Sequence, residues 1–200
     1  MSKLYFRYGA MNSGKTTALI QVCHNYEERG MKVLLIKPSI DTKGDRRVVS
    51  RIGVSREVDV LVTPDINIYD EIKRRNAESP LSCIICDEAQ FFTVPQIDQL
   101  FEVAVRQHIP VICYGLRTDF QMKGFPAATR LLEISHTIEE LKTICTCGKK
   151  AIVNARLVNG EFVLEGDQVA IDGEQHVEYE SVCPECYFRL VEEHRAKHRT

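Results

Sequence analysis

The chain has 200 residues, 44% of them hydrophobic, and a formal net charge of −2. This is enough chain for one full α/β core, with residues left for a small additional unit. The near-neutral charge argues against general binding to nucleic acid or to anionic membranes. No apolar run reaches the ~20 residues that a membrane span needs, and the first residues lack the apolar core of a secretory signal. We therefore expect a cytoplasmic protein.

The first two-thirds of the chain alternates between short apolar runs and helical spacing. Such alternation requires crossover connections and predicts a largely parallel sheet flanked by helices. The polar segment 39–57 is predicted to be a mobile loop. Strands are predicted at 4–8, 32–37, 58–62, 83–88, 110–116 and 138–142, and helices at 15–29, 66–76, 94–107 and 127–132.

The pattern changes near residue 143. Short strand-like pieces follow at 151–158 and 161–166, with a pair of cysteines on each side of them, and a helix is predicted at 184–197. We therefore predict two domains, a larger one spanning 1–143 and a smaller one spanning 144–200.

The first predicted strand runs into the sequence GAMNSGKT, which fits the phosphate-binding pattern G-x-x-x-x-G-K-[ST]. Glycines let the backbone turn its N–H groups toward a polyanion, and the following helix adds the partial positive charge of its N-terminus. The lysine supplies a charge for the β and γ phosphates, and the threonine hydroxyl suits Mg²⁺. The alternative is a glycine turn beside an exposed lysine. The predicted phosphate cradle consists of Gly9, Ala10, Met11, Asn12, Ser13, Gly14, Lys15 and Thr16.

Two acidic residues end the predicted strand at 83–88. In folds with a phosphate-binding loop this strand lies beside the loop, and the acid at its end assists Mg²⁺, so Asp87 fits that role. Glu88 would then lie beside the phosphates, where it could take a proton from an attacking hydroxyl or water. The alternative is an exposed acidic turn.

Eight cysteines are many for a cytosolic chain, in which disulfides are rare. Cys83 and Cys86 form a C-x-x-C pair on a predicted strand, so their side chains should point to opposite faces of the sheet. They are therefore predicted to be buried core residues that do not chelate one ion. Cys23 and Cys113 lie in apolar surroundings and receive the same interpretation.

The other four cysteines form two close pairs separated by 35 residues. Tetrahedral Zn²⁺ takes four soft ligands from two tight turns, and the C-terminal unit is too short to build much core without such a clamp. Four thiolates leave no open position, which predicts a structural ion; free thiols are the alternative. From 144 to 200 there are seven basic and ten acidic residues, and this balance disfavours a nucleic-acid-binding ribbon. The predicted ligands are Cys145, Cys147, Cys183 and Cys186.

Together these features resemble the cellular-type (type II) thymidine kinases over nearly the whole chain. The resemblance rests on the phosphate-binding loop, on DEAQF at 87–91, on YGLRTDF at 114–120 and on EYESVC at 178–183. It implies a P-loop (RecA-like), mostly parallel α/β sheet with a small C-terminal zinc-ribbon domain that carries a lasso-shaped loop. It also implies transfer of the γ-phosphate of Mg-ATP to the 5′-hydroxyl of thymidine or deoxyuridine, which makes dTMP in pyrimidine salvage.

The resemblance also implies roles for individual residues. Glu88 matches the catalytic base, Phe120 the ring that stacks on the pyrimidine, and Tyr179 a contact to the sugar. Zinc would act indirectly, by fixing the base of the lasso that encloses the nucleoside and excludes water. A homotetramer and feedback inhibition by dTTP are also implied. The second nucleotide-binding segment corresponds to Asp87, Glu88, Ala89 and Gln90. The thymidine pocket corresponds to Met11, Phe91, Leu116, Phe120, Phe125 and Tyr179, with the lasso at Val169, Ala170, Ile171, Asp172 and Gly173.

The chain departs from the family pattern in two places. Asp172 stands where many members have glycine, and about one additional residue separates the lasso from the tyrosine. The family's Asp-x-Arg segment near the sugar and phosphates is matched by Asp41 with Lys43 or by Asp45 with Arg46, of which we favour Asp41.

Three other functions fit parts of the sequence. The first is a P-loop ATPase that acts on nucleic acid through the ribbon, which the acidic ribbon disfavours. The second is a kinase for another small hydroxyl acceptor. The third is a nucleotide-binding regulatory protein without turnover, which only the placement of Glu88 disfavours.

Overall fold

The computed structural model describes residues 2–39, 46–168 and 176–198. Its first part contains β1 (Leu4–Tyr8), α1 (Lys15–Glu27), β2 (Val33–Pro38), β3 (Arg47–Val49), β4 (Ser55–Glu57), β5 (Val60–Val62), α2 (Ile68–Glu78), β6 (Cys83–Cys86), α3 (Val94–Arg106), β7 (Val111–Gly115), α4 (Pro126–Ile134) and β8 (Thr137–Glu140). Its second part contains β9 (Thr143–Ile144), β10 (Lys150–Ala151), β11 (Val153–Val158), β12 (Glu161–Val163), β13 (Val177–Val182) and α5 (Pro184–Lys197).

Six strands form the main sheet in the spatial order β5-β2-β6-β7-β1-β8, and every neighbouring pair runs parallel. Residues of α1 pack on one face, and residues of α2, α3 and α4 pack on the other. The predicted α/β class is thereby confirmed. Because the carboxyl ends of parallel strands meet at one edge, the segments that follow β1, β6 and β7 lie together there.

The central strand β6 is buried along its whole length. Cys83 and Ile85 belong to the hydrophobic cluster beneath α1, whereas Ile84 and Cys86 belong to the cluster on the opposite face. The prediction that these two cysteines are core residues on opposite faces is therefore confirmed.

The second part of the chain builds a separate hydrophobic cluster. Strands β12, β11 and β13 form an antiparallel sheet, β9 pairs with β10, and α5 packs against the sheet. Ala155, Val182 and Tyr187 are buried in this cluster together with three of the paired cysteines. Within the described ranges, none of the helices is both long and apolar enough to cross a bilayer.

The segment predicted as a loop at 39–57 contains a short antiparallel hairpin instead, formed by β3 and β4. Each strand has three residues, so period-two alternation is too brief to be read from the sequence. The hairpin is held by Val48, which is 2% exposed and packs in the cluster beneath α1 with Val58.

Candidate active site and metal centre

The loop between β1 and α1 needs glycine at both ends, for two different reasons. A side chain at Gly9 would place its Cβ 2.4 Å from both the Leu141 carbonyl oxygen and the Ser13 hydroxyl oxygen, so only glycine fits. Gly14 precedes α1 with φ 78° and ψ 17°, in the left-handed region that glycine tolerates. The Gly14 carbonyl oxygen accepts a hydrogen bond from the Ala18 N–H at 2.9 Å, so the loop turns directly into the helix.

Lys15 folds back over this loop. Its Nζ donates hydrogen bonds to the carbonyl oxygens of Gly9 at 3.1 Å and Ala10 at 2.9 Å. Burial lowers the pKa of Lys15, while the negative charges of Glu88 and Asp87 act in the opposite direction. The ammonium of the loop and the two acids that follow β6 are therefore close enough to interact electrostatically.

Asp87 is 6% exposed at the carboxyl end of β6, and its backbone N–H donates to the Ile36 carbonyl oxygen at 3.0 Å. Burial, and then repulsion from Glu88, raise the pKa of Asp87 to about 7, although Lys37 and Lys15 lower it. Glu88 begins a short helical turn with φ 47° and ψ 42°. A residue other than glycine is rare in this region, and such conformations concentrate at functional sites.

The raised pKa of Asp87 predicts a pH-dependent stability. The folded value of about 7 exceeds the ordinary 3.8, so the folded chain binds an extra proton between these values and loses stability as the pH rises through them. We expect wild type to lose stability relative to Asp87→Asn as the pH rises from about 4 to about 7, by at most about 1.4 kcal/mol per pH unit. Urea unfolding with a chelator present measures this, with Asp70→Asn on the surface of α2 as the control. Parallel pH trends in wild type and Asp87→Asn would contradict it.

Most of the residues expected to line a nucleoside pocket converge. Leu116 and Phe125 are buried in the cluster that also contacts Met11 and Phe91. The rings of Phe91 and Phe125 meet edge to face, with centroids 5.6 Å apart. These side chains come from the ends of β1, β6 and β7 and from the start of α4, so the sheet edge brings them together.

Phe120 lies apart from that cluster and contacts the three-stranded sheet β12-β11-β13, which is called the second sheet below. The guanidinium of Arg156 stands 3.7 Å from the centroid of the Phe120 ring, and its Nε donates to the Tyr179 hydroxyl at 3.0 Å. Arg156 is 4% exposed, so a buried cation links the aromatic ring to the tyrosine that the resemblance assigns to the sugar. The Tyr187 hydroxyl donates to the Phe120 carbonyl oxygen at 3.0 Å and fixes the backbone there.

Two side chains of the three-stranded sheet β12-β11-β13 hold the loop between β1 and α1. The Met11 N–H donates to the Asn154 side-chain oxygen at 2.8 Å, and the Ser181 hydroxyl donates to the Met11 carbonyl oxygen. Asn154 and Ser181 face each other across β11 and β13. Neither residue was predicted from the sequence, nor was Arg156. The available signal was a pair of polar residues, Asn154 and Arg156, at alternate positions in an otherwise apolar strand.

Some predicted residues fall outside the described ranges. These are the lasso residues 169–173 and the alternatives Asp41, Lys43 and Asp45. Arg46 is described, and its carbonyl oxygen accepts a hydrogen bond from the Val58 N–H at 2.7 Å. Gln168, the last described residue before the lasso, donates from its side-chain amide to an Asp119 carboxylate oxygen at 3.1 Å.

Four sulfur atoms meet at a candidate metal centre. The Sγ atoms of the two cysteine pairs all lie within 4.8 Å of one another, and those of Cys147 and Cys183 are 3.5 Å apart. Four Zn–S bonds of about 2.3 Å in a tetrahedron require S···S separations of about 3.8 Å, so this spacing fits zinc. One pair lies in the turn between β9 and β10, and the other lies at the start of α5. The centre is formed by Cys145, Cys147, Cys183 and Cys186.

A glycine-rich loop of the G-x-x-x-x-G-K-[ST] pattern, set between the first strand and first helix of a parallel sheet, defines an α/β protein of the P-loop class. The thymidine kinase family model matches residues 2–187. A thymidine kinase from Mannheimia succiniciproducens is 47% identical over 92% of this chain and 93% of that protein. Thymidine kinases from Francisella tularensis subsp. tularensis and Enterobacteria phage T4 are 43% and 45% identical, over 92% and 88% of this chain and 95% and 92% of theirs. The chain belongs to the thymidine kinase family, and the resemblance predicted from its sequence is confirmed.

Proposed function

We propose that this enzyme transfers the γ-phosphate of ATP to the 5′-hydroxyl of thymidine, and also of deoxyuridine, and so makes dTMP for pyrimidine salvage. The observation that carries the proposal is the convergence of the loop lysine and the acid pair. Lys15 closes on the loop carbonyls and interacts with the charges of Glu88 and Asp87. This proximity supports a single site in which the loop would bind phosphates and a carboxylate would act as the base.

In this proposal each group has a defined task. The loop N–H groups, the N-terminus of α1 and Lys15 bind the phosphates of ATP. The Glu88 carboxylate takes the proton of the 5′-hydroxyl as that oxygen bonds to the γ-phosphorus, and the bond from phosphorus to the bridging oxygen breaks to release ADP. Thr16 and Asp87 would hold Mg²⁺, which neutralises charge on the phosphates when it is bound.

The proposed nucleoside site lies between the aromatic cluster at the sheet edge and the second sheet. Phe120 would stack on the pyrimidine, because flat rings prefer offset stacking on an aromatic face. Met11, Phe91, Leu116 and Phe125 would form the apolar wall, and the buried environment would exclude water that would otherwise hydrolyse ATP. Tyr179 and the lasso at 169–173 would contact the sugar and the pyrimidine edge.

The metal centre is proposed to hold structural zinc. Four thiolate ligands leave no coordination position for a substrate, so zinc would stabilise the second unit without taking part in the chemistry. The division into a kinase domain at 1–143 and a zinc domain at 144–200 belongs to the same proposal. So do the homotetramer, the inhibition by dTTP and the cytoplasmic location that the family resemblance implies.

A coupled ADP assay tests the proposal directly. We expect ATP consumption that requires thymidine and Mg²⁺ and that single-stranded DNA neither replaces nor stimulates. A panel of nucleosides, with thymidine, deoxyuridine, deoxycytidine and deoxyguanosine, then defines the acceptor. ATP turnover stimulated by DNA without nucleoside would favour a nucleic-acid-dependent ATPase, and nucleotide binding without any turnover would favour a regulatory protein.

A further inference from the structure

The buried side-chain amide of Gln90, beside Glu88, makes hydrogen bonds to the protein through both its nitrogen and its oxygen. Gln90 is 3% exposed, and the family resemblance places it among the nucleotide-binding residues. Its Nε2 donates to the Glu88 Oε2 at 2.5 Å, and its Oε1 accepts a hydrogen bond from the Leu116 N–H at 2.9 Å. A buried polar group takes its partners from what surrounds it, and here both ends of the amide are bonded to protein atoms.

The two bonds connect neighbouring strands at the functional edge of the sheet. Glu88 follows β6 and Leu116 follows β7, and these strands are paired in parallel. The absence of a side chain at position 115 leaves room for the Gln90 amide between them. A Cβ on Gly115 would stand 2.6 Å from the Gln90 Oε1, which is closer than such atoms approach. The glycine at 115 therefore permits the position that the Gln90 amide adopts.

The Gln90 amide bonds a carboxylate whose charge also interacts with Lys15 and Asp87. Glu88 immediately precedes a single helical turn, Ala89–Phe91, and its backbone lies in the left-handed region. A free glutamate side chain populates several rotamers, and a charge-assisted hydrogen bond to one carboxylate oxygen selects among them. With Oε2 held by the amide, the second oxygen keeps a constant direction. A base that must meet a hydroxyl proton depends on such orientation.

We propose that Gln90 is a positioning residue, which orients the Glu88 carboxylate for proton abstraction and ties it to the backbone of the pocket-wall residue Leu116. The inference rests on the proposed function, because it takes Glu88 as the base. It differs from the role implied by the family resemblance, since the amide would contribute to kcat through Glu88 and not to the binding of ATP.

Steady-state kinetics of Gln90→Ala separate the two roles. We expect kcat to fall on the order of 10- to 100-fold, with KM for ATP and for thymidine within about twofold of wild type. In a Glu88→Gln background, Gln90→Ala should cause no further loss, because its effect passes through the carboxylate that is already absent. A raised KM for ATP at unchanged kcat, or an additive loss in the double variant, would overturn the positioning role.

Two further variants guard against a simple folding defect. Gln96→Ala is the matched control, because Gln96 is also 3% exposed and its amide also bonds backbone atoms, those of Thr93, Thr63 and Ile66. It should lower stability without lowering kcat of the folded enzyme. Gly115→Ala should displace the amide and reproduce the loss in kcat. Normal kcat in both Gln90→Ala and Gly115→Ala would reject this inference alone, whereas a wild type that does not phosphorylate thymidine would reject the proposed function.

Discussion

Glu88→Gln is expected to keep nucleotide binding and to lower kcat by at least about 100-fold, the usual scale for losing a general base. Glutamine preserves the shape of the side chain but cannot accept the proton of the 5′-hydroxyl. The neighbouring amide of Gln90 would still find an oxygen acceptor at position 88, so local structure should persist. We therefore predict that ATP binding, measured by calorimetry, persists in this variant, whereas turnover, measured by ADP release, falls.

The control for this experiment is the same chemical change at an exposed site. Glu193→Gln alters the surface of α5 and should leave both binding and kcat unchanged. Near-normal turnover in Glu88→Gln would exclude Glu88 as the base. A loss of ATP binding equal to the loss of turnover would instead identify Glu88 as a binding residue.

Cys183→Ser is expected to release the metal and to abolish most thymidine binding. Cys183 is both a member of the four-sulfur cluster and the residue that precedes α5, where its sulfur accepts from the Cys186 N–H at 3.4 Å. Structural zinc contributes roughly 10–16 kcal/mol in small zinc peptides, which exceeds the net stability of most domains. We expect about one zinc per chain in wild type, none in the variant, and a rise of at least about tenfold in KM for thymidine.

Cys23→Ser gives the matched control, because Cys23 is buried in α1 and belongs to no sulfur cluster among the described residues. It should retain zinc, measured by elemental analysis, and retain thymidine binding, even if the buried hydroxyl lowers stability. A metal-free preparation of wild type with full affinity for thymidine would contradict the structural role of zinc. So would a Cys183→Ser protein that keeps its metal.

The parallel sheet was predictable because its strands are buried on both faces. Such strands appear in the sequence as short continuous apolar runs between polar turns, and β2 and β6 are wholly buried. The glycine-rich turn between β1 and α1 was also predictable, because its glycines, lysine and threonine lie within eight consecutive residues; its binding of phosphate stays a prediction. Both signals are local. The boundaries of the elements differ by a few residues, since apolar runs extend beyond the hydrogen-bonded ladder.

Contacts between distant parts of the chain were not predictable. Asn154 and Ser181 bond Met11 across 143 and 170 residues, and no local pattern marks a side chain for a backbone partner so far away. Arg156 was missed for the same reason, because its partners Phe120 and Tyr179 lie on other segments. The hairpin of β3 and β4 was missed because each strand has only three residues, and one buried valine anchors it.

The backbone of Met11 is held at both its N–H and its carbonyl oxygen by the second sheet. Consider a chimaera that takes its C-terminal unit from another member of the family. It would keep the two hydrogen bonds to Met11 only if the donor supplies a hydrogen-bond acceptor at the position of Asn154 and a hydroxyl at that of Ser181. Without them, two backbone groups in the loop between β1 and α1 would lose their partners. Exchange of the C-terminal unit would then disturb the phosphate binding proposed for this loop, although no residue of the loop had been altered.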